Sequence, residues 1–236
     1  MTKKRVAINT GGGDAPGLNA VIRAATLAGM RRGWEMYGIR NGYRSLTEPG
    51  DKLIPLNRDV VQGITLLGGT ILGTANRGNP FEMPFLNDQG EWELRDESDH
   101  IVEEFHKLQL DALIAIGGDG SMQIASRLIE EKGLPILGVP KTIDNDLPQT
   151  DITLGFDTAL GTATEAIDKI TTTAEAHERI MVVEVMGRYA GWIALHSGLS
   201  STADVILIPE ILFDLTPSCR KLKRGQTVAA ITPWWW

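Results

Sequence analysis

The chain has 236 residues, enough for a sizeable core in one large domain or two smaller ones, and its 42% hydrophobic and 22% charged residues are those of an ordinary folded globular protein. A net charge of −7 argues against nucleic-acid binding, which needs clustered Lys and Arg; the one basic run, "RKLKR" at 220–224, reads as a solvated helix face. Cys219 is the single cysteine, so no internal disulfide forms, and neither a signal-peptide pattern nor an apolar run of about 20 residues occurs, which makes a cytoplasmic protein the expectation.

In chain order, "RVAINT" (5–10) reads as a buried strand that ends in "GGGDAPG", and "LNAVIRAATLAGMRR" (18–32) has helical spacing with Pro16 near its start. "EMYGIR" (35–40) is the next strand, followed by a turn-rich stretch and by "GGTILGTANRGNPF" (68–81), too rich in Gly and Asn for regular structure. Then come an amphipathic helix (96–110), a strand "DALIAIGGDG" (111–120) running into a glycine turn, a helix (121–133) and a strand "LPILGVP". A long helix (156–176), a strand "RIMVVEV", a helix "AGWIALHSGL" and a strand "DVILIP" follow. A weak helix around 214–224 and a strand "TVAAI" (227–231) end the series. Strands that are continuous apolar runs, alternating with helices, predict a doubly wound α/β fold with mainly parallel sheets. The expected division is a phosphoryl-donor-binding lobe over 1–140 and a second, incomplete lobe over 141–236, broken where the acidic loop "VPKTIDNDLPQTD" (139–151) interrupts the sheet pattern.

In open α/β sheets ligands sit beyond the carboxyl ends of the strands. "TGGGDAPGLN" lies there and opens a helix, so its backbone suits a phosphate. It is not a dinucleotide fingerprint, since Pro16 stands at the third glycine position, and the chain has no G-x-x-x-x-G-K-[ST] loop. "IAIGGDGS" (114–121) repeats the arrangement with Asp119 inside it; a cap on the next helix and a ligand to Mg²⁺ beside phosphates are compatible roles, and the metal is the favoured one because Gly118 and Gly120 leave room for a bulky ligand. If 142–146 is extended, Asp144 and Asp146 point to one side, where close carboxylates repel unless a proton or cation intervenes. A calcium loop is excluded by Pro148 and Gln149. One carboxylate that takes a proton from an attacking alcohol, and one that helps place a metal, would serve phosphoryl transfer. Arg188 in "EVMGRYAGW" suits a sugar phosphate. Arg179 stands at the opposite end of the same strand and would reach such a site only in a neighbouring subunit. His100, His106, His177 and His196 have no metal-ligand spacing.

The ordered set "GGDAPGLNAVIR", "GGTILGTANRGNPF", "GGDGS", "TIDND", "TLGFDTAL" and "VVEVMGRYAGW" resembles the 6-phosphofructokinase family over nearly all of 4–210. The resemblance implies transfer of a phosphoryl group to the 1-hydroxyl of fructose 6-phosphate with Mg²⁺. It puts Gly12 under the donor phosphates, with Arg77 and Gly78 beside them. It gives Asp119 to Mg²⁺, with Gly118, Gly120 and Ser121 around the donor. Thr142 and Ile143 lie at the transferring group and the sugar, Asp144 is the base, and Asp146 supports it. Met186, Gly187 and Arg188 contact the sugar phosphate, and Arg179 does so from a neighbouring subunit, which implies a homo-oligomer. Gly120 looks like ATP-using members and Lys141 like pyrophosphate users, a combination similar to a mixed-substrate subgroup; ATP is the expected donor. Other "GGDG" kinases, acting on NAD or lipids, lack "TIDND" followed by "GFDTA". Family chains continue with further sugar-phosphate ligands, whereas Pro233 stands where a glutamate is expected and "WWW" follows. The expectation is a C-terminally truncated chain that binds sugar phosphate poorly, or an inactive nucleotide-binding fragment.

Overall fold

The computed structural model describes residues 3–75, 78–214 and 216–217, and the backbone of 227–231. Arg77, Cys219, the basic run, most of the weak helix expected at 214–224, Pro233 and the terminal tryptophans lie outside the described residues. The chain divides into two compact units, Met1–Lys141 and Thr142–Trp236. No helix among the described residues is long and apolar enough to cross a membrane.

The first unit is built on β1 (Arg5–Thr10), β2 (Glu35–Ile39), β3 (Leu53–Leu56), β6 (Ala112–Gly117) and β7 (Ile136–Thr142), which lie in the order β3-β2-β1-β6-β7. All neighbours are parallel except β2 with β3. Side chains alternate between two cores, as the pleat requires. On β1, Ala7 enters a cluster with Leu46 of α2 (Arg44–Thr47), Ile101 and Phe105 of α3 (Ser98–Lys107) and Leu128 of α4 (Asp119–Glu130). Val6 and Ile8 enter a second cluster with Leu18 and Ile22 of α1 (Leu18–Arg31). Helices thus cover both faces, and the fold is the expected doubly wound α/β type.

Two features depart from the sequence reading. The segment "LIPL" forms β3, which tolerates Pro55 because it lies at the edge of the sheet, with no second strand partner among the described residues. Residues 83–95 form a separate antiparallel hairpin, β4 (Met83–Leu86) and β5 (Trp92–Arg95), turned by Asn87, whose Oδ1 accepts from the Gln89 and Glu91 amides. A buried ion pair joins the elements around α3. Glu104, 7% exposed, accepts from Lys107 Nζ at 2.8 Å and pairs with Lys52 Nζ at 2.7 Å, and Lys52 also donates to Leu46 O. The Lys107 and Lys52 ammoniums hold the Glu104 carboxyl down at about 2.

The second unit contains β8 (Leu154–Gly155), α5 (Phe156–Ala176), β9 (Ile180–Glu184), α6 (Trp192–Ser200), β10 (Val205–Leu207) and β11 (Thr227–Ile231). The last three strands in space run β10-β11-β9, all parallel. The helix α5 ends in a Schellman arrangement in which Arg179 N–H donates to Ala174 O at 2.9 Å and Glu178 N–H to Glu175 O at 3.3 Å. Glu178 takes the left-handed position with φ 51°.

Candidate active site

In the first unit the chain leaves β1 for β2 on one side, while β6 lies on the other. The switch point of the sheet is therefore between β1 and β6, where ligands of open α/β sheets bind. Both glycine turns emerge there. Gly11 N–H donates to Ile116 O at 2.8 Å, which ties the first turn to the end of β6, and β7 brings Lys141 alongside through the Gly117–Pro140 pairing. The packing permits little else: a Cβ on Gly117 would stand 2.3 Å from Ser121 Cβ and 3.2 Å from Gly11 O. Lys141 is 4% exposed, donates to Gly13 O, and lies 3.7 Å from where a Cβ on Gly12 would be. Burial pushes its pKa down, and the charge of Asp14 opposes this. A buried ammonium requires such a polar partner.

The structure thus brings Gly12, Gly118, Ser121 and Lys141 together. A Cβ on Gly120 would meet nothing within 4 Å, so this side of the turn is open. The helix α4 starts at Asp119, two residues earlier than its sequence pattern indicated, and Gly118 is the N-cap. Asp119 therefore does not cap the helix; it is exposed and accepts from Gln123 Nε2 at 2.9 Å. Among the described residues no group of three acidic, His or Cys side chains could hold a metal. A single exposed carboxylate in the first turn fits Mg²⁺ held mainly by phosphates and water rather than by a protein cage. Gly12 has φ 76° and its amide donates to Ala75 O at 3.2 Å, so it contributes small size and turn geometry, not a spare amide. Gly78 lies against Arg44 of α2.

In the second unit the segment 142–146 is not extended: Asn145 has φ 52°, which breaks the alternation that put Asp144 and Asp146 on one side. The turn is closed by Thr142 Oγ1, which accepts from Asp144 N–H at 3.1 Å, and by Asn145 Oδ1, which accepts from Thr153 N–H at 2.8 Å. Thr153 Oγ1 donates to Thr142 O at 2.7 Å, and Ile143 is half-buried between these contacts. The two carboxylates consequently differ. Asp146 is exposed, whereas Asp144 is half-buried, and its Oδ1 is buried without a partner among the described residues. Burial raises the Asp144 pKa, the charge of Asp146 adds to this, and Arg188 opposes it. Arg188 follows β9 with φ 53° and its guanidinium stands 5.0 Å from the Tyr189 ring centre. Left-handed backbone in a non-glycine residue is a strain commonly met at functional sites. Met186 is 71% exposed and Gly187 is buried. Arg179 is exposed at the opposite end of β9 from Arg188.

Beside Asp146 lies a cleft of about 560 Å³, lined by 145–152, Phe156, Trp192 and His196; Asp144 is not in its wall. Two contributors escaped the sequence reading. Glu210, just after β10, accepts from Gly191 N–H at 2.7 Å and so holds the start of α6. Asn19 of α1 holds the 67–71 loop. Neither has a local signature, because each acts across tens of residues.

The phosphofructokinase family model matches residues 5–231. The chain belongs to the phosphofructokinase family. It is 46% identical over 224 residues to ATP-dependent 6-phosphofructokinase 1 of Synechocystis sp., covering 94% of this chain and 61% of that one. It is 51% identical over 216 residues to pyrophosphate–fructose 6-phosphate 1-phosphotransferase of Streptomyces coelicolor, covering 91% and 59%. Among solved structures, Pichia pastoris phosphofructokinase in the T-state aligns with a TM-score of 0.83 at 34% identity, over 98% of this chain and 26% of that one. The chain thus spans about 60% of the length of these curated relatives.

Proposed function

We propose that the chain transfers the terminal phosphoryl group of ATP to the 1-hydroxyl of fructose 6-phosphate, giving fructose 1,6-bisphosphate, as a cytoplasmic glycolytic enzyme. The observation that supports this reading is Asp144, a carboxylate with a buried oxygen that has no partner among the described residues and a pKa raised by burial. Such a group accepts a proton more readily than an ordinary aspartate, which a general base for an alcohol requires. The sugar O1 attacks the terminal phosphorus, its proton passes to Asp144, and the bond to ADP breaks.

The donor belongs to the first unit and the acceptor to the second. Gly12, Gly118, Gly120 and Ser121 make room for the phosphates, Lys141 neutralises them, and Arg77 and Gly78 complete that side. Asp119 would hold Mg²⁺, which would supply charge neutralisation to the donor phosphates. Thr142 and Ile143 flank the transferring group, Asp146 supports Asp144, and Met186, Gly187 and Arg188 receive the sugar phosphate. Arg179, at the far end of β9, serves a neighbouring subunit of a homo-oligomer.

Lys141 favours a second reading, pyrophosphate as donor, since a buried ammonium against the glycine turn suits a short, highly charged anion. Open space at Gly120 favours ATP. A coupled assay for fructose 1,6-bisphosphate with each donor in turn tests both readings. ATP is expected to support turnover and Gly120→Asp to abolish it while sparing pyrophosphate. Nucleotide binding without turnover would instead mark a non-catalytic donor-binding protein.

A further inference from the structure

Asn19 is the second residue of α1 and only 2% exposed, between the core residues Leu18 and Ile22. An asparagine side chain offers one carbonyl and two N–H donors. Here the Nδ2 amide donates to Leu67 O at 3.0 Å and Gly68 O at 3.4 Å, and Oδ1 accepts from Ile71 N–H at 2.9 Å. The whole side chain is thus committed to a loop without regular structure.

The far end of that loop is fastened to the first glycine turn. Thr10 Oγ1 donates to Gly73 O at 2.7 Å and lies 3.1 Å from Thr70 Oγ1. Gly12 N–H donates to Ala75 O at 3.2 Å, and Thr74 Oγ1 donates to Gly12 O. Both backbone polar groups of Gly12 are therefore spent on this loop. The turn, tied to β6 at Gly11 and to Lys141 at Gly13, is held at Gly12 by the loop, and the start of the loop is held by Asn19. A buried polar side chain with all its bonds made specifies one arrangement of its partners.

We propose that Asn19 is a positioning residue for the phosphoryl donor, acting through residues 67–75 on Gly12. The inference rests on the reading of the first glycine turn as the donor site. The test uses the 236-residue chain, with MgATP and magnesium pyrophosphate titrated calorimetrically and thermal unfolding recorded for each variant. Asn19→Ala is expected to raise the donor Kd about tenfold or more, equivalent to ~1.4 kcal/mol. Ile101→Val, a cavity in the other core cluster, which contains no residue of the loop, is expected to lower the melting temperature and leave donor Kd unchanged. Thr10→Val, which releases the same loop at its other end, is expected to combine with Asn19→Ala sub-additively, as residues sharing one network do. A donor Kd within about twofold of the parent in Asn19→Ala, or strictly additive losses in the pair, overturns the proposal and leaves Asn19 a purely structural residue. A parent chain that binds neither donor refutes the donor-site reading itself, and the inference with it.

Discussion

Replacing Glu104 with Gln separates a buried charge from its partners and gives a stability change with a defined pH window. The carboxyl is depressed from the usual 4.5 to about 2. Each tenfold change in proton affinity corresponds to about 1.4 kcal/mol, so the depression stabilises the fold by at most ~3.5 kcal/mol. The Lys107 side chain is 75% exposed, so screening reduces its share and leaves about 2 kcal/mol. Because the folded pKa is depressed, the stabilisation is complete above the unfolded value near 4.5 and is lost as pH falls towards 2. Glu104→Gln also leaves Lys52, 9% exposed, with Leu46 O as its remaining partner, which takes the cost at pH 7 to about 3–5 kcal/mol. Lys52→Met combined with Glu104→Leu replaces the pair by apolar groups and is expected to return stability to within ~1 kcal/mol of the parent. Urea unfolding from pH 7 down to pH 3, followed by tryptophan fluorescence, measures this. A deficit in Glu104→Gln that does not shrink towards low pH, or a double variant no better than the single one, would refute the reasoning.

Gly117→Ala drives a methyl to within 2.3 Å of Ser121 Cβ and is expected to cost about 1–3 kcal/mol and to weaken donor binding; adding Ser121→Gly relieves that clash but not the 3.2 Å approach to Gly11 O, so it is expected to recover part of the stability and not the donor binding, as melting curves and titrations check. Asp144→Asn is expected to cut turnover roughly 100-fold or more without loss of stability at pH 7, because burial opposes the charge of the native carboxylate. The base works ionised, so Asp146→Asn removes a repelling charge and moves the acid limb of the rate profile to lower pH. Arg188→Gln removes an attracting one and moves that limb up, and initial rates over pH 4–8 distinguish the two.

Much of the fold was legible because its signals are local. The apolar run of β1, the strand–glycine–helix junctions at Gly11 and Gly118, and the 21 residues of α5 all follow from period and punctuation. The edge strand β3 was hidden by Pro55, and the β4–β5 hairpin by two four-residue strands, one of which contains Pro84. The site residues were legible as residue types, but not as environments. Asp144 and Asp146 look equivalent in "TIDND", and the left-handed turn at Asn145 gives them different burial and basicity. Asn19, like Glu210, reads as an ordinary polar residue until the chain brings its distant partners to it.

The most direct measurement follows a radiolabelled terminal phosphate of ATP incubated with fructose 6-phosphate, Mg²⁺ and either the parent chain or Asp144→Asn. Label appearing in fructose 1,6-bisphosphate with the parent and nearly vanishing with the variant is the predicted result. Equal labelling by both proteins, or none by the parent, would contradict the assignment of Asp144 as the base of a phosphoryl transfer.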